Sequence, residues 1–213
     1  MNTYRAREHY DLHWKYTGSK LAENPYTTER IKAIVDTIPG DVLSIADVGC
    51  GNGLLTNILA EKYKVVGVEL SREALRNVVC DRINCSAGHL GLRDGCVDLA
   101  LSSEVLEDLP DEIFYNAVNE LKRISKKYIL ITVPNKENLR ERLVKCNICG
   151  LEFHLYLHLR SFDKAEFTRL FKGWISKHSV ELGPPEVRSY NVISFELISK
   201  LHILGVLLCM LCL

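Results

Sequence analysis

The chain has 213 residues, with 27 basic and 27 acidic side chains. That length suits one α/β domain with modest additions, and the zero formal charge provides no global field to draw it to a polyanion, so no nucleic-acid partner is expected. The polar, aromatic first 20 residues do not read as a signal peptide, and the eight cysteines then point to reduced thiols in a cytoplasmic setting.

Residues 1–38 read as an N-terminal helical region. The stretch from Tyr4 to Tyr16 is aromatic and His-rich and suits a lid over a site. His9 and His13 stand one helical turn apart, so both can face one side. An ordinary amphipathic helix with surface histidines is the alternative. Val42 to Val48 is a nearly continuous apolar run, as expected for a strand buried on both faces. It runs into Asp47, Gly49, Gly51 and Gly53, and Leu54 to Lys62 then reads as a helix. Lys64 to Leu70 is the next buried strand, with Glu69 near its C-terminal end. Further strands are predicted at 82–86, 97–102, 128–133 and 178–182. The clearest later helices run from Asp111 to Ser125 and from Asp163 to Phe171, the second opened by Asp163 and Glu166 in capping-box spacing. Such alternation implies an α/β fold, a Rossmann-like doubly wound, mostly parallel sheet with helices on both faces. Ligands of such sheets sit at the C-terminal strand ends. The expected division is a lid region at 1–38, a cofactor-binding domain at 39–185 and an apolar tail at 186–213. Cys50, Cys80, Cys85 and Cys96 stand singly and are read as small packing residues.

A strand, a Gly-rich turn and a helix N-terminus make a cradle for a polar ligand, because glycines let backbone N–H groups approach closely. A carboxylate closing the next strand can accept hydrogen bonds from both hydroxyls of a ribose. The dinucleotide fingerprint needs a third glycine where Leu54 stands, which argues against NAD. What remains, D-x-G-x-G-x-G from Asp47 to Gly53, resembles the motif of class I S-adenosylmethionine-dependent methyltransferases, of the small-molecule, type 11-like kind. The resemblance continues through Leu92 to Ala100 and the acidic loop to Glu107, through Tyr128 to Asn135, and through the His-x-Arg-x-Phe of His158 to Phe162. It implies S-adenosylmethionine as cofactor. Gly49, Gly51 and Gly53 would approach its methionine end, Asp47 its amino group and Glu69 its ribose hydroxyls. Leu70 and Ala87 would flank the adenine, with Ser86 in place of the acid often found after the third strand, and Ser103 would complete the set.

Methyl transfer from a sulfonium needs alignment and dryness more than a base. A base is required only where the accepting atom carries a proton. Candidate groups are therefore the weaker set His9, His13, Glu104 and Glu107. Ser102-Ser-Glu-Val105 stands where base-methylating enzymes carry Asn/Asp-Pro-Pro-Tyr/Phe, so the implied substrate is a small molecule. The alternative is a non-catalytic cofactor- or zinc-binding interaction protein on the same fold.

Two segments stand outside that resemblance. Cys146, Cys149, His154 and His158 form a C-x2-C-x4-H-x3-H array that suits tetrahedral zinc in an insertion at 146–158; thiols and histidines without metal stay open as the alternative. The tail holds 11 uninterrupted apolar residues from Ile203 to Leu213, about half of what a membrane-spanning helix requires. With Ile193, Leu197, Leu201, Leu204 and Leu208 at helical spacing, residues 192–213 are predicted to form a helix. It would lie on the domain, a partner or a membrane surface, with Glu196 and Lys200 outward. The family's seventh, antiparallel strand is not evident. Either the tail supplies it or the sheet stops short.

Overall fold

The computed structural model describes residues 3–17, 25–145, 150, 152–182 and 190–197. Helix α1 (Thr3–Thr17) and α2 (Pro25–Thr37) precede the sheet. Then come β1 (Ser44–Val48), α3 (Leu54–Ala60), β2 (Lys64–Glu69), the single turn α4 (Arg72–Leu75) and β3 (Asp81–Asn84). β4 (Val97–Ser103), α5 (Asp111–Ile124) and β5 (Ser125–Pro134) follow. A hairpin of β6 (Leu143–Lys145) and β7 (Glu152–His154), α6 (Lys164–Leu170), β8 (Trp174–Leu182) and β9 (Tyr190–Leu197) complete the order. The seven-stranded sheet runs β3-β2-β1-β4-β5-β9-β8. β1 to β5 are mutually parallel, and β9 runs antiparallel to both β5 and β8.

Alternation along the central strands divides the core. Ala46, Val48, Ala100, Ile129, Ile131 and Val133 face the layer holding α5, while Ile45, Leu99, Leu101 and Leu130 face the layer of α2 and α3. On α5, Phe114, Ala117, Val118, Leu121 and Ile124 are buried, a three–four spacing that lays one stripe on the sheet. Behind it Phe162, Phe167 and Phe171 stack in sequence, at centroid separations of 5.1 and 6.3 Å. Asp163 caps α6 by accepting a hydrogen bond from the Glu166 N–H at 2.8 Å. Below the sheet, Asp98 ties β4 to β1 by accepting from the Leu43 and Ser44 N–H groups at 3.0 and 3.2 Å.

The expected doubly wound sheet is present, with two departures. Residues 190–197 form the seventh, antiparallel strand, not the start of a helix, with Ile131 opposite Ile193 in the register. The open edge of β5 presents unpaired N–H and C=O groups that a strand satisfies and a helix does not. Val192, Ile193 and Phe195 are also β-formers by side-chain shape. The rest of the tail, including Lys200 and residues 203–213, lies outside the described residues. Second, β8 begins at Trp174, four residues before the expected 178, because Gly173 (φ +94°) turns the chain straight out of α6. No described helix is long and apolar enough to cross a membrane.

Candidate active site

The strand order reverses between β1 and β4, so their loops part and leave a crevice at the C-terminal ends. A cavity of about 720 Å³ opens there, a size suited to a small molecule and a cofactor. Its floor is the turn after β1. Gly49 (φ +81°) and Gly51 (φ +54°) hold left-handed backbone. A Cβ on Gly49 would lie 2.2 Å from Val105 Cγ2, and one on Gly51 would lie 2.4 Å from Trp14 Cζ2. Only glycine fits at either place.

Glu69 closes β2 and organises this floor. Its Oε2 accepts from the Gly51 N–H at 3.0 Å and its Oε1 from the Ser71 N–H at 2.8 Å. Ser71 in turn caps α4 and donates to Asp11 Oδ1 at 2.5 Å, while Asp11 also accepts from the Glu73 N–H at 3.1 Å. Helix α1 is thereby fastened to α4, and Tyr10, His13 and Trp14 reach the cavity from above. Asp47 is 2% exposed and accepts from Thr56 Oγ1 at 2.7 Å. Burial pushes its carboxyl up to about 6, against the lowering bond from Thr56, and the Glu69 charge adds to the rise. Burial likewise raises Glu69, although its backbone hydrogen bonds oppose this. Tyr10 stands well above its ordinary value, chiefly through burial and then through the charges of Asp108, Glu69 and Glu107. The Cys50 thiol, at the cavity floor, is held up by burial and then by the charges of Asp47 and Glu69, which keeps it a packing group.

The structure brings most of the sequence-predicted residues to one place. Asp47, Gly49, Gly51, Glu69, Leu70, Ser86, Ala87 and Ser103 all line the cavity. Gly53 does not. It is the N-cap of α3 at φ +82°, with its Cβ position 3.0 Å from Val78. Among the proposed bases, His13 and Glu104 line the cavity. Glu104 holds a left-handed φ of +56°, and its carboxylate accepts from Thr132 Oγ1 at 3.1 Å and lies 3.8 Å from Arg30. Strained residues of this kind gather at functional loops. Glu107 is buried at 1% exposure but does not line the cavity, and Asp108 reaches it instead. His9 lies on α1, with its side chain outside the described ones.

His154 and His158 also line the cavity, brought there by the β6–β7 hairpin, whereas Cys146 and Cys149 lie outside the described residues. Glu137 joins the two histidines, a partner that the Cys/His spacing had not suggested. Tyr10 and Trp14 line the cavity from the segment read as a lid, whereas Thr27, Arg30, Phe153 and Leu157 are lining residues that sequence reading passed over. For Thr27 with Arg30 and Ile31, helical spacing was the available signal. For the hairpin residues there was none, since two strands of three residues leave no periodic pattern.

Asp47 yields a prediction without any ligand. Its folded form holds a proton more tightly than the unfolded chain, so its contribution to stability is full below about pH 4 and is lost as pH rises through about 6. Moving a carboxyl from its ordinary value to about 6 corresponds to roughly 3 kcal/mol. Urea unfolding should therefore show Asp47→Asn gaining up to about 3 kcal/mol on wild type between pH 4 and pH 8. A pH-independent difference would contradict the burial argument.

Residues 46–129 match the family described as Methyltransferase domain. No curated protein sequence matches the chain. Among solved structures, the N-methyltransferase NodS from Bradyrhizobium japonicum, with S-adenosylhomocysteine, superposes at a TM-score of 0.71 and 16% identity, over 92% of this chain and 99% of that one. The 1,6-didemethyltoxoflavin-N1-methyltransferase of Burkholderia thailandensis gives 0.69 at 16% identity, over 91% and 88% of the two chains. Magnesium protoporphyrin IX methyltransferase from Synechocystis gives 0.69 at 13% identity, over 92% and 99%. These likenesses establish the shared fold. The matched segment takes in the Gly-rich turn and both cavity acids, so this part of the chain is similar to a methyltransferase domain, on the fold that the three solved structures share.

Proposed function

We propose that the cavity binds S-adenosylmethionine at the Asp47–Glu69 end and methylates a small, largely apolar acceptor at the hairpin end. The observation that carries this reading is a pair of buried carboxylates on a glycine turn, both facing one cavity. Both are raised by burial, so a cationic or hydrogen-bond-donating ligand relieves them. An amino group and a ribose diol are such ligands.

When bound, the cofactor supplies a methyl group on a positively charged sulfur. Asp47 would hold its amino group. Each Glu69 oxygen already accepts one backbone N–H and keeps a lone pair for one ribose hydroxyl. Leu70 and Ala87 would flank the adenine, with Ser86 Oγ beside it. Tyr10 and Trp14 on α1 exclude water from above. Where the accepting atom carries a proton, His13, Glu104 or Asp108 is positioned to take it, with the acceptor held in line by the cavity walls.

The acceptor class is read from the far wall. Phe153, Leu157 and Leu159 line the cavity from the hairpin side. With Leu143, Leu155 and Tyr156 they remain 37–54% exposed, an apolar patch beside the cavity mouth. A patch of this kind suits an apolar or membrane-held acceptor. The neighbours named for 1,6-didemethyltoxoflavin and for magnesium protoporphyrin IX support a small-molecule substrate. The apolar run 203–213 supports peripheral contact with a membrane or a protein, and the eight cysteines support a cytoplasmic setting.

Three outcomes follow. Calorimetry should find S-adenosylmethionine binding weakened by about 2–3 kcal/mol in Glu69→Ala, as for lost charge-assisted hydrogen bonds; equal affinity would reject the cofactor pose. Incubation of cell extract with methyl-labelled S-adenosylmethionine should place label in the apolar small-molecule pool, and label confined to RNA or protein would reject the acceptor class. Deleting 203–213 should raise solubility and reduce co-sedimentation with liposomes, whereas unchanged co-sedimentation would remove the tail from membrane contact.

A further inference from the structure

We propose that Glu137, His154 and His158 bind a divalent metal ion of the zinc class, which anchors the β6–β7 hairpin to the segment after β5. The inference does not depend on what the cavity holds.

The three residues come from separate stretches. Glu137 follows β5, His154 ends β7, and His158 lies beyond the next turn. Each offers a ligand atom within 4.8 Å of the others. All three side chains are nearly enclosed, at 9, 4 and 5% exposure. The imidazoles stack with centroids 4.8 Å apart. Glu137 faces both rings, with Oε1 3.7 Å from His154 Nε2 and Oε2 in direct contact with His158 Nδ1. Zinc bonds of 2.0–2.1 Å in a tetrahedron set ligand atoms ~3.3 Å apart, so small side-chain movements close this set around an ion. Two imidazoles and a carboxylate are nitrogen and oxygen donors that zinc accepts.

The surroundings are arranged for such a site. On its other face His158 presents Nε2 to Asp108 Oδ1 at 3.9 Å, beyond hydrogen-bond reach but on the side from which a carboxylate orients a ligating imidazole. Leu157, between the two histidines, holds a left-handed φ of +65°, and its N–H donates to the His154 carbonyl at 2.8 Å. A branched residue keeps that conformation only where its neighbours impose it, and this turn is what stacks the rings. The His158 N–H also donates to His154 Nδ1 at 3.2 Å. Coordination through Nε2 puts the ring proton on Nδ1, so this one contact opens when the ion enters. It is a single neutral hydrogen bond, small beside metal coordination.

The consequence reaches the active-site loop. Just beyond His158, the Leu159 N–H donates to the Glu107 carbonyl at 2.8 Å, and Arg160 donates to the Leu106 carbonyl at 3.0 Å. An ion held by His154 and His158 therefore fixes the segment that buttresses residues 106–108.

The test is elemental analysis of full-length protein purified with adequate zinc. Wild type should carry about one equivalent, and Glu137→Gln, His154→Ala and His158→Ala should each lower zinc affinity at least tenfold. Should a variant fail to fold, wild type decides: chelation should lower Tm by roughly 5–10 °C, and zinc at a hundredfold its Kd should restore it. No bound metal and a Tm unmoved by chelator and zinc would overturn the proposal. So would metal kept by all three variants and lost only on Cys146→Ser or Cys149→Ser.

Discussion

The carboxylate of Glu69 accepts one hydrogen bond from the Gly51 N–H and one from the Ser71 N–H. It thereby joins the turn after β1 to the turn after β2. Through Ser71 and Asp11 the same chain of bonds reaches α1, which forms the roof. Floor, wall and roof of the cavity thus hang on one buried acid. Its burial raises its pKa, and the two backbone amides offset part of that cost. Glu69 also lines the cavity, so the group that organises the site is in reach of whatever enters it.

Asp47 is the other half of that arrangement. It is fully enclosed, steadied by Thr56 and raised by burial, with Glu69 adding to the rise. Two buried acids around one cavity destabilise the ligand-free protein and favour a cationic ligand by the same physics. Stability of the empty cavity and affinity for a cation are opposed uses of one interaction. The sheet around them tolerates this because its core is continuous on both faces, with α5 on one side and α2 and α3 on the other.

The hairpin end of the cavity is built differently. Arg160 packs over the Phe114 ring at 4.0 Å, binds Asp111 at 2.6 Å and holds the Leu106 carbonyl, so it fixes the loop after β4 to the start of α5. The neighbouring hairpin adds an apolar surface and the Glu137–His154–His158 cluster. The hairpin end of the cavity is thus built from other segments than the glycine-turn end, so one can vary while the other stays.

Much of this was legible in the amino-acid order. The buried strand, three glycines, Leu54 where the dinucleotide fingerprint needs its third and Glu69 one strand later are local signals, because strand burial, turn conformation and helix start each depend on neighbours a few residues away. α5 and the Asp163 cap are legible for the same reason. Non-local choices were not. Residues 190–197 carry apolar side chains compatible with helical spacing, and only the open edge of β5, some 60 residues upstream in the register, makes them a strand. The separation of Glu107 from Asp108 turns on which of two adjacent acids a loop aims inward, which no spacing records. Glu137 joins His154 and His158 because a strand exit and a hairpin end meet in space. Sequence by itself determined the cofactor cradle, since its parts are short-range. Only the tertiary structure decided the sheet edge, the bonds that fasten the roof and the place of Glu137 beside the two histidines, since each depends on contacts between segments far apart in the chain.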